Sequence, residues 1–135
     1  MNLIEQLQRD EGDKQFPYTD TVGKLSIGTG RNLTDVGLYP EERLYLLNND
    51  IHRATTALTV NLPWFSTLDA VRQGVLINMC FMGWEKLKEF HNMLAAMGRA
   101  DWLTAANEML DSQWARQVGD RAKRLAQQVV SGEWT

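Results

Sequence analysis

The sequence has one cysteine, no long apolar run and no excess of positive charge. Cys80 has no partner for an intrachain disulfide, and it lies in the apolar stretch VLINMCFMG, where we expect it to pack as a small core residue. No stretch reaches membrane-spanning length, and charged residues interrupt the first twelve positions, so no signal-peptide core is predicted. We therefore expect a chain made in a cytoplasm, without stable membrane insertion.

Charge and histidine content argue against two further classes of function. The net charge of -3 gives no general attraction for anionic polymers, so no nucleic-acid partner is expected. The basic segment DRAKR can be a phosphate contact or a solvated helical face, or it can place Arg121 and Arg124 against an acidic pair elsewhere. The two histidines are far apart and have no second ligand at metal-binding spacing, so no metal site is predicted.

Apolar periodicity predicts a mainly helical body. A composition of 44% hydrophobic and 23% charged residues is typical of a soluble globular protein, and 135 residues can form one core. Helical spacing occurs in segments 2–11, 40–59, 68–79, 87–97, 102–110 and 121–129. Candidate N-caps are Ser66 or Thr67 for the third of these segments, Asp101 for the fifth and Asp120 for the last.

Residues 16–30 follow a different pattern. Glycines and a proline punctuate this segment, and apolar residues alternate with polar ones from residue 24 onward. The alternation predicts a hairpin or small sheet, with Asp20 to Gly23 as its turn. Ser26 falls on the strand face opposite Leu25 and Ile27.

Three polar residues in this region are candidates for one active site. Glu11 ends the first helix, where the helix dipole and partial burial would favour the protonated form that a general acid needs. Asp20 could face it as a second carboxylate, an arrangement that glycoside hydrolysis requires, and Ser26 could bind a nucleophilic water. Each also has an ordinary explanation, as a solvated helix end, a turn aspartate and an exposed strand hydroxyl.

The order of the motifs resembles a known family. DEG is followed by YTDTVGKLSIGTGRNL, LDAVRQGVLINMCF, SQWARQ, DRAKR and a closing SGEW, and this series is similar to the bacteriophage T-even type lysozymes, glycoside hydrolase family 24. The resemblance implies a single lysozyme-like α+β domain over 1–135, mainly helical. It implies a small hairpin lobe at about 12–40, a connecting helix at about 40–59, and a helical lobe at about 60–135 that includes helix 2–11.

The resemblance also implies an activity. The chain would be an endolysin that hydrolyses the β-1,4 bond between N-acetylmuramic acid and N-acetylglucosamine in peptidoglycan and so lyses the host cell. Glu11 would be the general acid and Asp20 the second catalytic carboxylate. Ser26 stands where the family usually has threonine, and both side chains offer a hydroxyl.

Further residues acquire roles by the same resemblance. Gly30, Asn32 and Phe81 would bind substrate in the cleft between the lobes. Arg121 and Arg124 would form structural ion pairs with Glu11 and Asp10. The implied protein is a monomer without a cofactor, held in the host cytoplasm until another protein permeabilises the membrane.

Two departures from the family leave an alternative open. Family members commonly have an amide residue between the phenylalanine and methionine that here are adjacent as Phe81 and Met82, and the segment between Gly30 and Pro40 is short. The lost residue could have lined the substrate cleft. The alternative is therefore a catalytically impaired lysozyme-fold module that binds peptidoglycan or a partner protein.

Overall fold

The computed structural model describes residues 1–135 and contains two compact units, Met1–Leu47 and Asn48–Thr135. The boundary falls inside the longest helix, Pro40–Asn61. The first unit includes the first helix as well as the strands. The resemblance implied that this helix belongs with the helical lobe, and that grouping stays a prediction. None of the helices combines the length and apolarity needed to cross a bilayer.

The first unit holds one short helix and a three-stranded antiparallel sheet in the order β1-β2-β3. The elements are α1 (Leu3–Glu11), β1 (Lys14–Thr19), β2 (Leu25–Gly28), β3 (Arg31–Asn32) and the start of α2 (Pro40–Asn61). The predicted hairpin is β1 and β2, in which Tyr18 pairs with Ser26. The third strand, whose Asn32 pairs with Ser26, was not predicted because two residues carry no readable alternation.

Local signals define both ends of α1. The Asn2 side chain accepts a hydrogen bond from the Glu5 N–H, and the Glu5 carboxylate accepts one from the Asn2 N–H, which completes a capping box. The helix ends at Gly12, whose φ of 80° suits glycine. The sequence-based bounds of 2–11 are therefore confirmed to within one residue.

The second unit is entirely helical. It contains the rest of α2, a short 3₁₀ turn (Phe65–Thr67), α3 (Ala70–Cys80), α4 (Trp84–Leu87), α5 (His91–Gly98), α6 (Trp102–Leu110), α7 (Gln113–Val118) and α8 (Asp120–Ser131). Fully buried residues such as Leu58, Leu76 and Met109 form one core. Cys80 is 6% exposed, as expected of a core cysteine, and burial raises the pKa of its thiol.

Arg72 joins three helices of this unit. Its guanidinium donates hydrogen bonds to the carbonyls of Val129 (2.7 Å) and Val130 (3.2 Å), in the last turn of α8. It also lies over the Trp102 ring, 4.0 Å from the centroid. A cation at a helix C-terminus satisfies carbonyls that have no partner within the helix and complements the helix dipole.

Two sequence-based helix starts were wrong. Asp69 caps α3, because its carboxylate accepts the Arg72 N–H at 3.1 Å, whereas Ser66 and Thr67 lie in the 3₁₀ turn. Asp120 is the first residue of α8 rather than its cap. The cap position is Gly119, with φ at 58°. The Asp101 cap is confirmed, because its carboxylate accepts the Thr104 N–H.

The predicted helix 87–97 is interrupted near its start: α4 ends at Leu87, and the helix begins again at His91 as α5. The backbone leaves helical geometry at Phe90, with ψ at 59°, and the Phe90 ring packs edge-on against Trp114, with the ring centroids 6.1 Å apart. This tertiary contact overrides the helical apolar spacing. The short helix α7, which supplies Trp114, was missed because it is only six residues long.

Candidate active site

Glu11 is the last residue of α1 and is exposed. Its side chain lies against the turn between β2 and β3: a Cβ atom built on Gly30 would be 3.1 Å from Oε2 and 3.4 Å from Cδ of Glu11. Gly30 has a φ of +73°, which disfavours other residues on conformational grounds as well. Because glycine has no side chain, the glutamate carboxyl can approach the backbone of this turn closely.

Asp20 organises the turn between β1 and β2. Its Oδ1 accepts hydrogen bonds from the N–H groups of Val22 (3.0 Å) and Lys24 (2.8 Å), as an aspartate in a turn commonly does. The backbone carbonyl of Asp20 accepts the Gly23 N–H at 3.1 Å. Both side-chain bonds end on Oδ1, so neither of them occupies the other carboxylate oxygen. The ordinary role of Asp20 and the proposed catalytic one are therefore compatible.

Ser26 is the most enclosed residue of the first unit. It lies in the central strand, between Tyr18 of β1 and Asn32 of β3, and is 3% exposed. The sequence left open whether this hydroxyl is exposed on the strand, and the structure shows a buried one. A buried hydroxyl in a central strand is held more rigidly than one on a free edge, which suits a group that positions a water.

Asn32 organises the loop that follows β3. Its side-chain oxygen accepts the Asp35 N–H at 2.9 Å, and its side-chain nitrogen donates to Asp35 at 3.1 Å. The Asn32 carbonyl accepts the N–H groups of Val36 and Gly37, both at 3.2 Å. The Asn32 side chain thus forms hydrogen bonds within its own loop. The role of Asn32 in substrate binding remains a prediction.

An ion pair that the sequence did not indicate lies beside these residues. The Arg31 guanidinium binds both carboxylate oxygens of Glu42, at 2.6 and 2.5 Å, and lies over the Tyr39 ring. The pKa of the Glu42 carboxyl is lowered by the hydrogen bond from Arg31 and by another from the Tyr39 N–H. The pairing crosses eleven positions of the sequence, beyond the spacing that helical or strand patterns reveal.

Phe81 belongs to the second unit, where it is 49% exposed at the end of α3. It lines a groove of about 710 Å³ together with Arg121, and Lys86, Trp114 and Gln117 line the same groove. The polypeptide turns at Phe81–Gly83 before α4 begins. The one-residue gap inferred after Phe81 therefore falls where a helix ends, so it need not rotate a continuing helix.

Two residues of the predicted ion pairs, Arg121 and Asp10, each bind another residue within their own unit. Arg121 donates to the side-chain oxygen of Asn78 at 2.6 and 3.0 Å and to its carbonyl at 3.1 Å. Asp10 is bound by the neighbouring Arg9 at 2.9 Å. The pairing of Arg121 and Arg124 with the acidic pair at the end of α1 therefore stays a prediction.

In the first unit, Glu11, Asp20 and Ser26 supply two carboxyl groups and a hydroxyl. A carboxyl group can donate or accept a proton, and a carboxylate with a hydroxyl can orient a water, which is the set that glycosidic cleavage needs. The three residues come from a helix end, a turn and a central strand. Each is placed by local structure of a different kind.

Several known proteins are similar to nearly the whole of this chain. No protein-family model matches it. The chain is 29% identical to a "Probable T4-type lysozyme 1" of Dictyostelium discoideum, covering 97% of this chain and 95% of that protein. It is 25% identical to "Probable T4-type lysozyme 2" of the same organism, covering 92% and 91%.

A third relative is a larger protein. The "Pre-baseplate central spike protein Gp5" of Enterobacteria phage T4 is 28% identical over 98% of this chain, which spans only 28% of that protein. The alignments extend over 155 to 162 positions, more than the 135 residues of the chain, so each relative has residues in the aligned region that this chain lacks. The resemblance inferred from the motifs and the mainly helical α+β class are confirmed.

Proposed function

We propose that this chain, a homologue of the T4-type lysozymes, is a glycoside hydrolase that cleaves the β-1,4 bond between N-acetylmuramic acid and N-acetylglucosamine in peptidoglycan. One observation carries the proposal beyond homology: both candidate carboxyl groups and the candidate hydroxyl occur in one small unit. The side chain of Glu11 there lies against the Gly30 turn, and Ser26 is buried in the sheet.

The residues divide the chemistry as follows. Glu11 donates a proton to the glycosidic oxygen as the bond breaks, which turns a poor leaving group into a neutral hydroxyl. Asp20, through the carboxylate oxygen that the turn does not use, accepts a proton from the attacking water or stabilises the developing sugar cation. Ser26 orients that water by hydrogen bonding. No cofactor is required.

The biological role that follows is that of an endolysin. The proposed protein accumulates in the cytoplasm of an infected cell, and another protein opens the membrane so that it reaches the wall. Cleavage of the glycan strands then lyses the cell. The protein acts as a monomer.

Release of reducing sugar ends from purified peptidoglycan tests the activity. The parent should release them, and Glu11→Gln should not, because an amide cannot protonate the leaving group. Asp13→Asn is the matched control, since it neutralises another exposed carboxylate close to α1 and should keep parental turnover. Parental turnover in a folded Glu11→Gln variant would remove Glu11 from the mechanism.

The Ser26 hydroxyl is tested by a pair of variants. Ser26→Thr keeps the hydroxyl and should remain active, while Ser26→Ala removes it and should lose most turnover. Because the site is 3% exposed, the added methyl of threonine could destabilise the sheet by about 1–3 kcal/mol, so unfolding of both variants is measured alongside. Equal activity of a folded Ser26→Ala variant would refute the water-binding role.

The same assays distinguish the proposed hydrolase from the alternative, a lysozyme-fold module that binds but does not cleave. A folded parent that sediments with the wall but releases no reducing ends would be a binding module without glycosidase activity. That outcome would direct attention to the gap after Phe81 and to the groove that this residue lines.

A further inference from the structure

Arg31 holds together the segment that leads from β3 to α2. One of its guanidinium nitrogens donates to the Gly37 carbonyl at 3.3 Å and to Glu42 at 2.6 Å. Another binds the second carboxylate oxygen of Glu42 at 2.5 Å. The Tyr39 ring lies beneath the guanidinium, 5.8 Å from centroid to Cζ. The side chain thereby joins the strand, the following loop and the first turn of a helix.

Glu42 is fixed independently of Arg31. It is in the first turn of α2, where its carboxylate also accepts the Tyr39 N–H at 2.8 Å, as a glutamate at the third helical position does in a capping box. The side chains of Arg31 and Glu42 are only 34% and 30% exposed. A two-point ion pair with this degree of enclosure restricts the orientation of both groups more than an exposed pair does.

Arg31 directly follows the glycine that lies against the candidate acid. Gly30 approaches Glu11 closely, and a Cβ on it would be 3.1 to 3.5 Å from the glutamate side chain. β3 is only two residues long, so few backbone hydrogen bonds fix the position of this turn. The side chain of Arg31 supplies the additional anchor.

We propose that Arg31, through its ion pair with Glu42, is a positioning residue that holds the Gly30 turn against Glu11 and so sets the orientation of the general acid. This inference rests on the proposed function, in which Glu11 donates the proton. Arg31 does not touch the substrate in this scheme. Arg31 acts on Glu11 only through the backbone of Gly30, the residue that precedes it.

The test compares kcat and KM of Arg31→Met with those of the parent on a soluble peptidoglycan fragment. Misplacement of a reacting group by about 1 Å can cost up to about 100-fold in rate, so we expect kcat to fall about tenfold and KM to change less than about twofold. Arg31→Lys, which keeps the charge but not the two-point geometry, should recover part of the loss.

Lys24→Met is the matched control. It removes another ion pair of the same unit, the one between Lys24 and Asp35 at 3.3 Å, and leaves the Lys24 N–H bond to Asp20 in place. This variant should keep parental kcat. An equal fall of kcat in both variants would show general loosening of the unit and would overturn the inference, as would a parental kcat in folded Arg31→Met.

A double-mutant cycle and a spectroscopic readout complete the design. Glu42→Gln should lower kcat as Arg31→Met does, and the double variant should be no worse than either, because both changes break one pair. If the parent itself has no turnover, the proposed function fails, but the positioning is still judged by the side-chain ¹³C shift of Glu11. That shift should move in Arg31→Met and not in Lys24→Met, and an unmoved shift would overturn the inference.

Discussion

The two compact units differ in what they bury. All buried hydrophobic side chains lie in the second unit, where the core includes Leu58, Val75 and Met109 at 0% exposure. In the first unit Ser26 is the one buried residue, and apolar side chains such as Leu3 and Phe16 are 67% and 72% exposed. The first unit is therefore shaped by turns, caps, strand pairing and an ion pair, and the second by burial of apolar surface.

This difference coincides with the division of candidate functions. The three candidate catalytic residues belong to the unit that lacks an apolar core, while the second unit presents a groove with aromatic and basic side chains. Local hydrogen bonds place individual polar groups accurately, but they contribute little to global stability. We therefore expect substitutions in the first unit to affect activity more than unfolding, and substitutions in the second unit to do the reverse.

The largest effect is expected from the same change made at two positions of α2. Leu58→Ala should lower the free energy of unfolding by about 2–5 kcal/mol, because this side chain is fully buried in the second unit. Leu44→Ala, at a position 56% exposed in the first unit, should change it by less than about 0.5 kcal/mol. Urea unfolding measures both, and equal losses would break the comparison.

A smaller loss is expected at Arg72. Arg72→Met removes the hydrogen bonds to the last turn of α8 and the contact with Trp102. The free energy of unfolding should therefore fall by about 2 kcal/mol. Arg53→Met is the control, since its side chain is 75% exposed and its pair with Asp50 lies at the surface. Thermal melting of both variants checks this, and a control as unstable as Arg72→Met would contradict it.

Two substitutions of Asp20 distinguish its structural role in the turn from its proposed catalytic role. Asp20→Ala removes the acceptor for the Val22 and Lys24 N–H groups and should weaken the turn by about 1 kcal/mol, seen as faster amide exchange at these two residues. Asp20→Asn retains an acceptor oxygen and should keep the amide protection while losing turnover. If Asp20→Asn keeps both, the carboxylate has only its turn role.

The smallest effect is expected when the pH is lowered until Glu42, the partner of Arg31, becomes protonated. The hydrogen bond from Arg31 lowers the pKa of Glu42, so its stabilising effect is complete above the ordinary glutamate pKa and is lost as the pH falls through the lowered value. The Tyr39 amide, which donates to Glu42, should then exchange faster. In the Arg31→Met variant, the faster exchange of the Tyr39 amide should begin at a higher pH. If it begins at the same pH as in the parent, the ion pair does not determine where the exchange begins.

The sequence predicted the elements whose signals lie within a few residues. The end of α1 at Gly12, the turn at Asp20 and the cap at Asp101 each depend on residues a few positions apart, and all three are present. The same is true of the alternation that places Ser26 opposite Leu25 and Ile27. The motif order also predicted the relationship to the T4-type lysozymes.

The sequence by itself determined these local elements and the candidate carboxyl groups, because neighbouring residues select caps, turns and strand faces directly. Only the tertiary structure decided the break at Phe90, the closeness of Gly30 to Glu11 and the reach of Arg72 across 57 positions to Val129. The pairing of Arg31 with Glu42 belongs to the same group. Such contacts depend on how distant segments pack, and no periodicity along the chain records that packing.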